Sequence, residues 1–364
     1  MAENNILISR LRQKAQENDY FQERNTNTIL KLRGIQRELP SFCLEFFRGI
    51  ENNTTPLTRL NYAYDLRIFF NFLIQEIVDF ENKSVKEIGI EDLNKLTATH
   101  LEIYLDYLNY YKGADGRFYK NNEKAKSRKL CSIRSFLKYY YKKEKIKENV
   151  SERVELPKLH EKEIVRLEVD EVVKFINQAE NPNLLTKTQQ EFNKHTRLRD
   201  VAMLSLFLGT GIRISECVGI NIEDIDFSVN GFKVTRKGGN QVVLYFSDEV
   251  ANHLREYLEE RINKPNVDIE ERALFLSIQN KRISVRAVEK LVKKYSSVVT
   301  PLKKITPHKL RSTYGTNLYR ETNDIYVVAD VLGHKDVNTT KKHYAAISED
   351  ARRSVANKVK LRDE

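Results

Sequence analysis

Three stretches of the 364-residue chain carry side chains suited to handling a phosphate. In the first, Gly209-Thr210-Gly211 ends one helix and Arg213 opens the next. Ile214, Cys217 and Val218 give that next helix an inward face, so Arg213 at its start can point into a cleft. In the second, Thr306 is placed to cap a helix with Pro307 at its first position. His308 and Arg311, three residues apart, share a face of it. A fork-shaped guanidinium grips phosphate oxygens, and an imidazole moves a proton near neutral pH. In the third, Asp324 caps a helix through Val327, Val328 and Val331 to Leu332. Gly333 fits its C′ position and His334 projects just beyond. Asn338-Thr339-Thr340 then reads as the cap of a short helix bearing Tyr344, one of 18 tyrosines. Taken singly, these are also what a surface arginine, a locally packed histidine or a structural tyrosine would show. Their joint order carries the signal.

That ordered set resembles the tyrosine recombinase, or phage integrase, family, and its bacterial Xer-like members in particular. The resemblance rests on Gly209-Thr210-Gly211-Ile212-Arg213-Ile214-Ser215-Glu216, on His308-Lys309-Leu310-Arg311-Ser312-Thr313, and on Leu332-Gly333-His334 running on to Asn338-Thr339-Thr340 and Tyr344. It covers roughly residues 37–364 in architecture and about 195–350 in motif detail. Ser312 stands where many members carry a second histidine, and ten residues separate His334 from Tyr344. The resemblance implies a catalytic set of Arg213, Lys237, His308, Arg311, His334 and Tyr344. Lys237 enters through the resemblance alone, in a Lys-Gly hairpin segment with Lys233 and Arg236 close by.

The implied activity is site-specific DNA recombination through a 3′-phosphotyrosyl intermediate. The oxygens of a phosphodiester repel a nucleophile, and Arg213 and Arg311 would neutralise them in the pentavalent transition state. A tyrosine hydroxyl has a pKa near 10, so roughly one in a thousand is ionised at pH 7. Nearby cations and a base such as His308 help remove its proton. Lys237 is the expected general acid for the leaving 5′-hydroxyl, and His334 a hydrogen-bond donor to the phosphate. No metal or cofactor is expected. The implied partners are double-stranded DNA with inverted half-sites and a homotetramer holding two such sites. A final helix, capped by Ser348 with an apolar stripe at Ala351, Val355 and Val359, would pass between subunits. Lack of an obvious arm-binding domain favours Xer-like chromosome dimer resolution over integration of a mobile element. Two rivals are a catalytically inactive DNA-binding relative and a type IB topoisomerase-like enzyme. Competent residue types at all six positions argue against the first, and the helical N-terminal region against the second.

The remaining sequence must position these groups. Leu39, Phe42, Phe46 and Phe47 recur on one face of Glu38–Ile50. Thr54-Thr55-Pro56 opens a helix striped by Tyr62, Leu66, Phe69, Phe70 and Leu73. Further helices fit Thr97–Tyr111, with Leu101, Leu105 and Leu108, and about Lys124–Lys143, with Leu130, Ile133, Leu137 and Tyr140 inward. Four such helices predict a small helical domain. Lys120 to Lys147 holds eleven Lys or Arg residues interleaved with Phe136 and Tyr139-Tyr140-Tyr141. Lys126, Arg128, Lys129, Arg134, Lys138, Lys142 and Lys143 are the expected DNA-phosphate contacts. Glu148–Ile164, with Pro157 and weak periodicity, reads as a linker. Helices follow at about Glu168–Gln178 and Leu198–Leu208. Two β-like runs, Phe232–Arg236 and Gln241–Phe246, flank Lys237-Gly238-Gly239-Asn240 and predict a hairpin.

The predicted fold is mainly α. A helical N-terminal extension (1–35) leads into a helical core DNA-binding domain (36–150) and a linker (151–165). The catalytic domain (166–364) is mixed α/β, helices with a small antiparallel sheet, and the two domains form a C-shaped DNA clamp. With 40% hydrophobic and 31% charged residues, the composition is that of a soluble globular protein. No apolar run is long enough for a membrane span, and the N-terminus lacks the pattern of a secretory signal. The net charge of +11 favours a polyanionic partner. Cys43, Cys131 and Cys217 lie far apart with no CxxC pair, which argues against structural zinc and fits a reducing cytoplasm.

Overall fold

The computed structural model describes residues 19–340 except 114, 160–163, 237, 238, 269, 335 and 339. The chain divides into two compact units, Asp19–Lys162 and the part from Glu163 onward.

The first unit is built from five helices: α1 (Asp19–Gln36), α2 (Cys43–Gly49), α3 (Pro56–Glu76), α4 (Ala98–Tyr107) and α5 (Glu123–Lys142). Side-chain caps start three of them. Thr55 accepts from the Thr58 N–H ahead of Pro56, Thr97 from His100, and Asn122 from Ala125. α3 lies at the centre, with α1 packed along it. Phe46, Phe69, Phe70, Phe72, Tyr104, Phe136 and Tyr140 form a fully buried aromatic core. The Phe136 ring meets Phe46 and Phe70 edge to face, at 5.2 and 5.9 Å between centroids. One buried charge fastens α5 to α3. Asp65 accepts both guanidinium nitrogens of Arg128 and the Ser132 hydroxyl, with Lys129 Nζ at 4.0 Å.

Two segments depart from the sequence reading. α4 stops at Tyr107, because the Leu108 carbonyl turns to accept the backbone and side-chain amides of Asn121. Tyr111–Lys112 (β1) then pairs antiparallel with Phe118–Tyr119 (β2). Two-residue strands are too short to show alternation. The segment read as a linker from Glu148 is packed as far as Val154: Val150, Ser151 and Val154 are buried. Arg134 holds it, donating to the Ser151 and Val154 carbonyls.

In the second unit, α6 (Val169–Glu180) and α7 (Lys187–Lys194) precede α8 (Arg197–Thr210) and α9 (Ile214–Gly219). Strands β3 (Ile225–Asp226), β4 (Gly231–Thr235) and β5 (Gln241–Tyr245) form an antiparallel sheet in chain order, with Thr235 opposite Gln241. α10 (Asp248–Ile262), α11 (Val285–Val299), α12 (Pro307–Thr322) and α13 (Ile325–Leu332) follow. α8 is buried on every side from Val201 to Phe207, packed by α6, α10 and α12. Its Asp200 accepts from Arg199, Lys294 and the Tyr295 hydroxyl. α13 seats Val328 and Leu332 against Tyr314 and Leu318 of α12. Among the described residues, no helix is long and apolar enough to cross a membrane.

Asp65→Ala removes the carboxylate that pairs with Arg128 and the buried Lys129 and accepts from Ser132. We expect it to cost about 2–4 kcal/mol of stability, read as a lowered urea midpoint. An unchanged midpoint would mean that Asp65 does not join α3 to α5.

Candidate active site

The site is assembled around the C-terminal end of α13. α8 ends at Gly211 with φ +62°, in the left-handed region. A Cβ there would stand 2.5 Å from a Tyr314 ring carbon and 2.8 Å from a Leu332 methyl. Glycine is therefore required both for backbone shape and for close packing. Arg213, two residues on, occupies the cap position of α9. Its N–H and its Nη1 both donate to the buried Glu216 carboxylate, at 3.0 and 2.9 Å. Its Nη2 donates to the Gly333 carbonyl at 3.0 Å.

Arg311, buried on α12, bridges the end of α8 and the end of α13. Nη1 donates to the Gly211 carbonyl at 2.6 Å, and Nη2 to the Leu332 carbonyl. Pro307 takes the first position of α12, as the sequence reading requires. Thr306 occupies the cap position, but its side chain makes no capping bond; instead its carbonyl accepts from Lys309 and Leu310. His308 lies exposed in the first turn, whereas Arg311 one turn on is buried.

Asp324 caps α13 through Tyr326 and Val327. Gly333 ends it at φ +63°, and the His334 N–H returns to the Ala329 carbonyl. The His334 ring nitrogen Nδ1 lies 2.7 Å from the hydroxyl of the fully buried Thr340. The cap read at Asn338 falls two residues earlier, since Asp336 accepts the Asn338 N–H. Lys237 and Tyr344, together with the final helix, lie outside the described residues.

A third guanidinium, not singled out from the sequence, joins the cluster. Arg236 at the end of β4 donates Nη2 to the Val331 carbonyl at 2.9 Å and Nη1 to Asp330 at 3.5 Å. Burial lowers its pKa, the Glu216 carboxylate opposes that, and the Arg213 charge adds to it. Glu216 and Thr340 were likewise not assigned roles. Glu216 could have been picked out from its place in the Arg-Ile-Ser-Glu stretch, but nothing in the spacing ties Arg236 to α13. The carbonyls of Val331, Leu332 and Gly333 thus accept from three arginines on three different elements. A helix C-terminus carries partial negative charge and unpaired carbonyls, which suits guanidinium donors. The outcome is a convergence of fixed cations on one helix end.

The basic helix α5 divides into two groups. Lys138, Lys142 and Lys143 are exposed and Lys126 is half-buried. Arg128, Lys129 and Arg134 are engaged within the unit, the first two with Asp65 and the third with backbone carbonyls. A charge count shows cations but not the acceptors that hold them.

The profile of the phage integrase family matches residues 166–350. The tyrosine recombinase XerC of Caldanaerobacter subterraneus subsp. tengcongensis is 32% identical over 330 residues, covering 88% of this chain and 86% of the relative. The chain belongs to the phage integrase family, the tyrosine recombinases. The tyrosine recombinase XerS of Lactococcus lactis subsp. lactis is 28% identical over 353 residues, 90% of this chain and 98% of that protein. Within the family, this chain is a Xer-like tyrosine site-specific recombinase. Solved structures show the same fold. XerH bound to palindromic difH substrate in a post-cleavage complex aligns with a TM-score of 0.62 at 18% identity, over 91% of this chain and 88% of that one. A lambda integrase dimer bound to a COC′ core site aligns at 0.59 and 15%, over 84% and 94%.

Gly211→Ala puts a methyl group against Tyr314 and Leu332 in a left-handed backbone and displaces the carbonyl that holds Arg311. We expect a loss of more than about 1 kcal/mol in stability and a cleavage defect larger than any defect in DNA binding. Wild-type cleavage by a stably folded variant would show that Arg311 needs no such support.

Proposed function

We propose that this recombinase exchanges strands between two DNA sites through a covalent bond at Tyr344. The observation that supports this best is the convergence of Arg213 and Arg311 on the end of α13, from which the chain runs on to Tyr344. In this reading both guanidinia bind the non-bridging oxygens of the scissile phosphate. Tyr344 Oη attacks phosphorus, losing its proton to a base such as His308, and the bond from phosphorus to the 5′ oxygen breaks. Lys237 supplies the proton to that leaving oxygen. His334, oriented by Thr340, donates a hydrogen bond to the phosphate. Attack by a different 5′-hydroxyl then reverses the step, so rejoining consumes no external energy source.

The helical domain at 36–150, the segment at 151–165 and the catalytic domain at 166–364 are the working divisions of this reading. The exposed Lys138, Lys142 and Lys143 and the half-buried Lys126, on or just after α5, are its foremost phosphate contacts; Arg128, Lys129 and Arg134 serve first to hold the domain together. The relatives' names, XerC and XerS, and a XerH bound to a palindromic substrate favour inverted half-sites and chromosome dimer resolution over integration. Paired exchange calls for four copies on two duplexes, with the segment from Ser348 onward passing between subunits. Work on chromosomal DNA places the protein in the cytoplasm.

A suicide substrate, nicked so that the released fragment diffuses away, tests the reading. The wild-type protein becomes trapped on DNA and joins the cut end to a second duplex. Tyr344→Phe gives no covalent adduct while binding DNA within about twofold of wild type, because only the nucleophile is removed. An adduct in the variant would make another residue the nucleophile, and relaxation without partner exchange would favour a topoisomerase.

A further inference from the structure

The β4–β5 hairpin has few anchors at its tip. From Thr235 to Val243 no described residue is buried, and two five-residue strands are marginal by themselves. The backbone closes the turn at Arg236, whose N–H donates to the Asn240 carbonyl at 2.8 Å. Its own carbonyl accepts from Gly239, which has φ +87°. Lys237 follows Arg236 directly in the chain. The Arg236 side chain leaves the hairpin and forks onto the Val331 and Asp330 carbonyls. Gly333 makes room for it: a Cβ at that position would run into the Arg236 guanidinium. The two carbonyls that follow along the chain hold Arg311 and Arg213.

We propose that Arg236 is the positioning residue for Lys237. Its guanidinium ties the hairpin turn to the helix end that orients Arg213 and Arg311, so the proton donor and the phosphate-binding cations share one reference point. The inference rests on the reading of Lys237 as general acid. Arg236 acts through its neighbour and touches no reacting atom. Arginine suits the place because one planar fork reaches two successive carbonyls, whereas an ammonium reaches them as a point charge.

The test compares cleavage of an ordinary duplex with cleavage of the same duplex carrying a 5′-bridging phosphorothiolate, in which sulfur leaves without a proton. Arg236→Ala should slow cleavage of the ordinary duplex by about tenfold or more, the scale of a lost charged hydrogen bond. On the phosphorothiolate it should slow by less than about threefold, following the same pattern as Lys237→Ala. Arg236→Lys should fall between wild type and Arg236→Ala on the ordinary duplex, and it serves as the second variant should the alanine protein fold poorly. Equal slowing on both substrates, with Lys237→Ala still rescued by sulfur, overturns the inference alone and makes Arg236 a phosphate-binding or purely structural group. No slowing on either substrate overturns it as well. If sulfur fails to rescue Lys237→Ala, the general-acid reading falls and the inference falls with it.

Discussion

The last turn of α13 is the point on which the site depends. A helix ends with carbonyls that have no donor inside the helix. Here Val331, Leu332 and Gly333 offer theirs to guanidinia from the end of β4, from α12 and from the start of α9. A carbonyl carries only a partial charge, so it fixes the direction of a guanidinium without cancelling its charge. A carboxylate at each position would hold the arginines as firmly and leave little attraction for a phosphate. Arg213 also pairs with the Glu216 carboxylate, and that pair sets the start of α9.

The helix end is itself held from both sides. Asp324 caps the start of α13, and Val328 and Leu332 pack into a small apolar cluster with α12. Leu332 also approaches Gly211, whose carbonyl takes the second branch of Arg311. One arginine therefore reports on the ends of two helices at once. A shift of α13 would disturb Arg213, Arg236 and Arg311 together, and His334 follows directly on the same turn. This explains in physical terms why two glycines at left-handed positions, Gly211 and Gly333, border the cluster.

Much of this was legible in the sequence because it depends on local chemistry. The caps at Thr55 and Asp324, the proline at the start of α12 and the glycine after α13 each follow from a neighbour within four residues. The order of Arg213, His308, Arg311, His334 and Tyr344 was legible as a resemblance. What escaped was set by distant partners. Arg128 and Lys129 read as phosphate contacts, yet Asp65 on another helix holds them. Arg236 reads as one more cation beside Lys237, and its target lies 95 residues on. The β1–β2 pair is too short for periodicity, and Val150 and Val154 are buried by packing that a weakly patterned segment does not advertise.

The central claim is that the end of α13 aims charged guanidinia at the negative oxygens of a phosphate. Replacing one non-bridging oxygen of the scissile phosphate by a methyl group, as in a methylphosphonate, removes the charge that they would neutralise. The most direct measurement is therefore the cleavage rate of Arg213→Ala and Arg311→Ala on the phosphodiester and on the methylphosphonate. The account predicts a loss of about two orders of magnitude or more on the phosphodiester, largely recovered on the neutral substrate. An equal loss on both would show that the arginines support the fold and not the charge of the transition state.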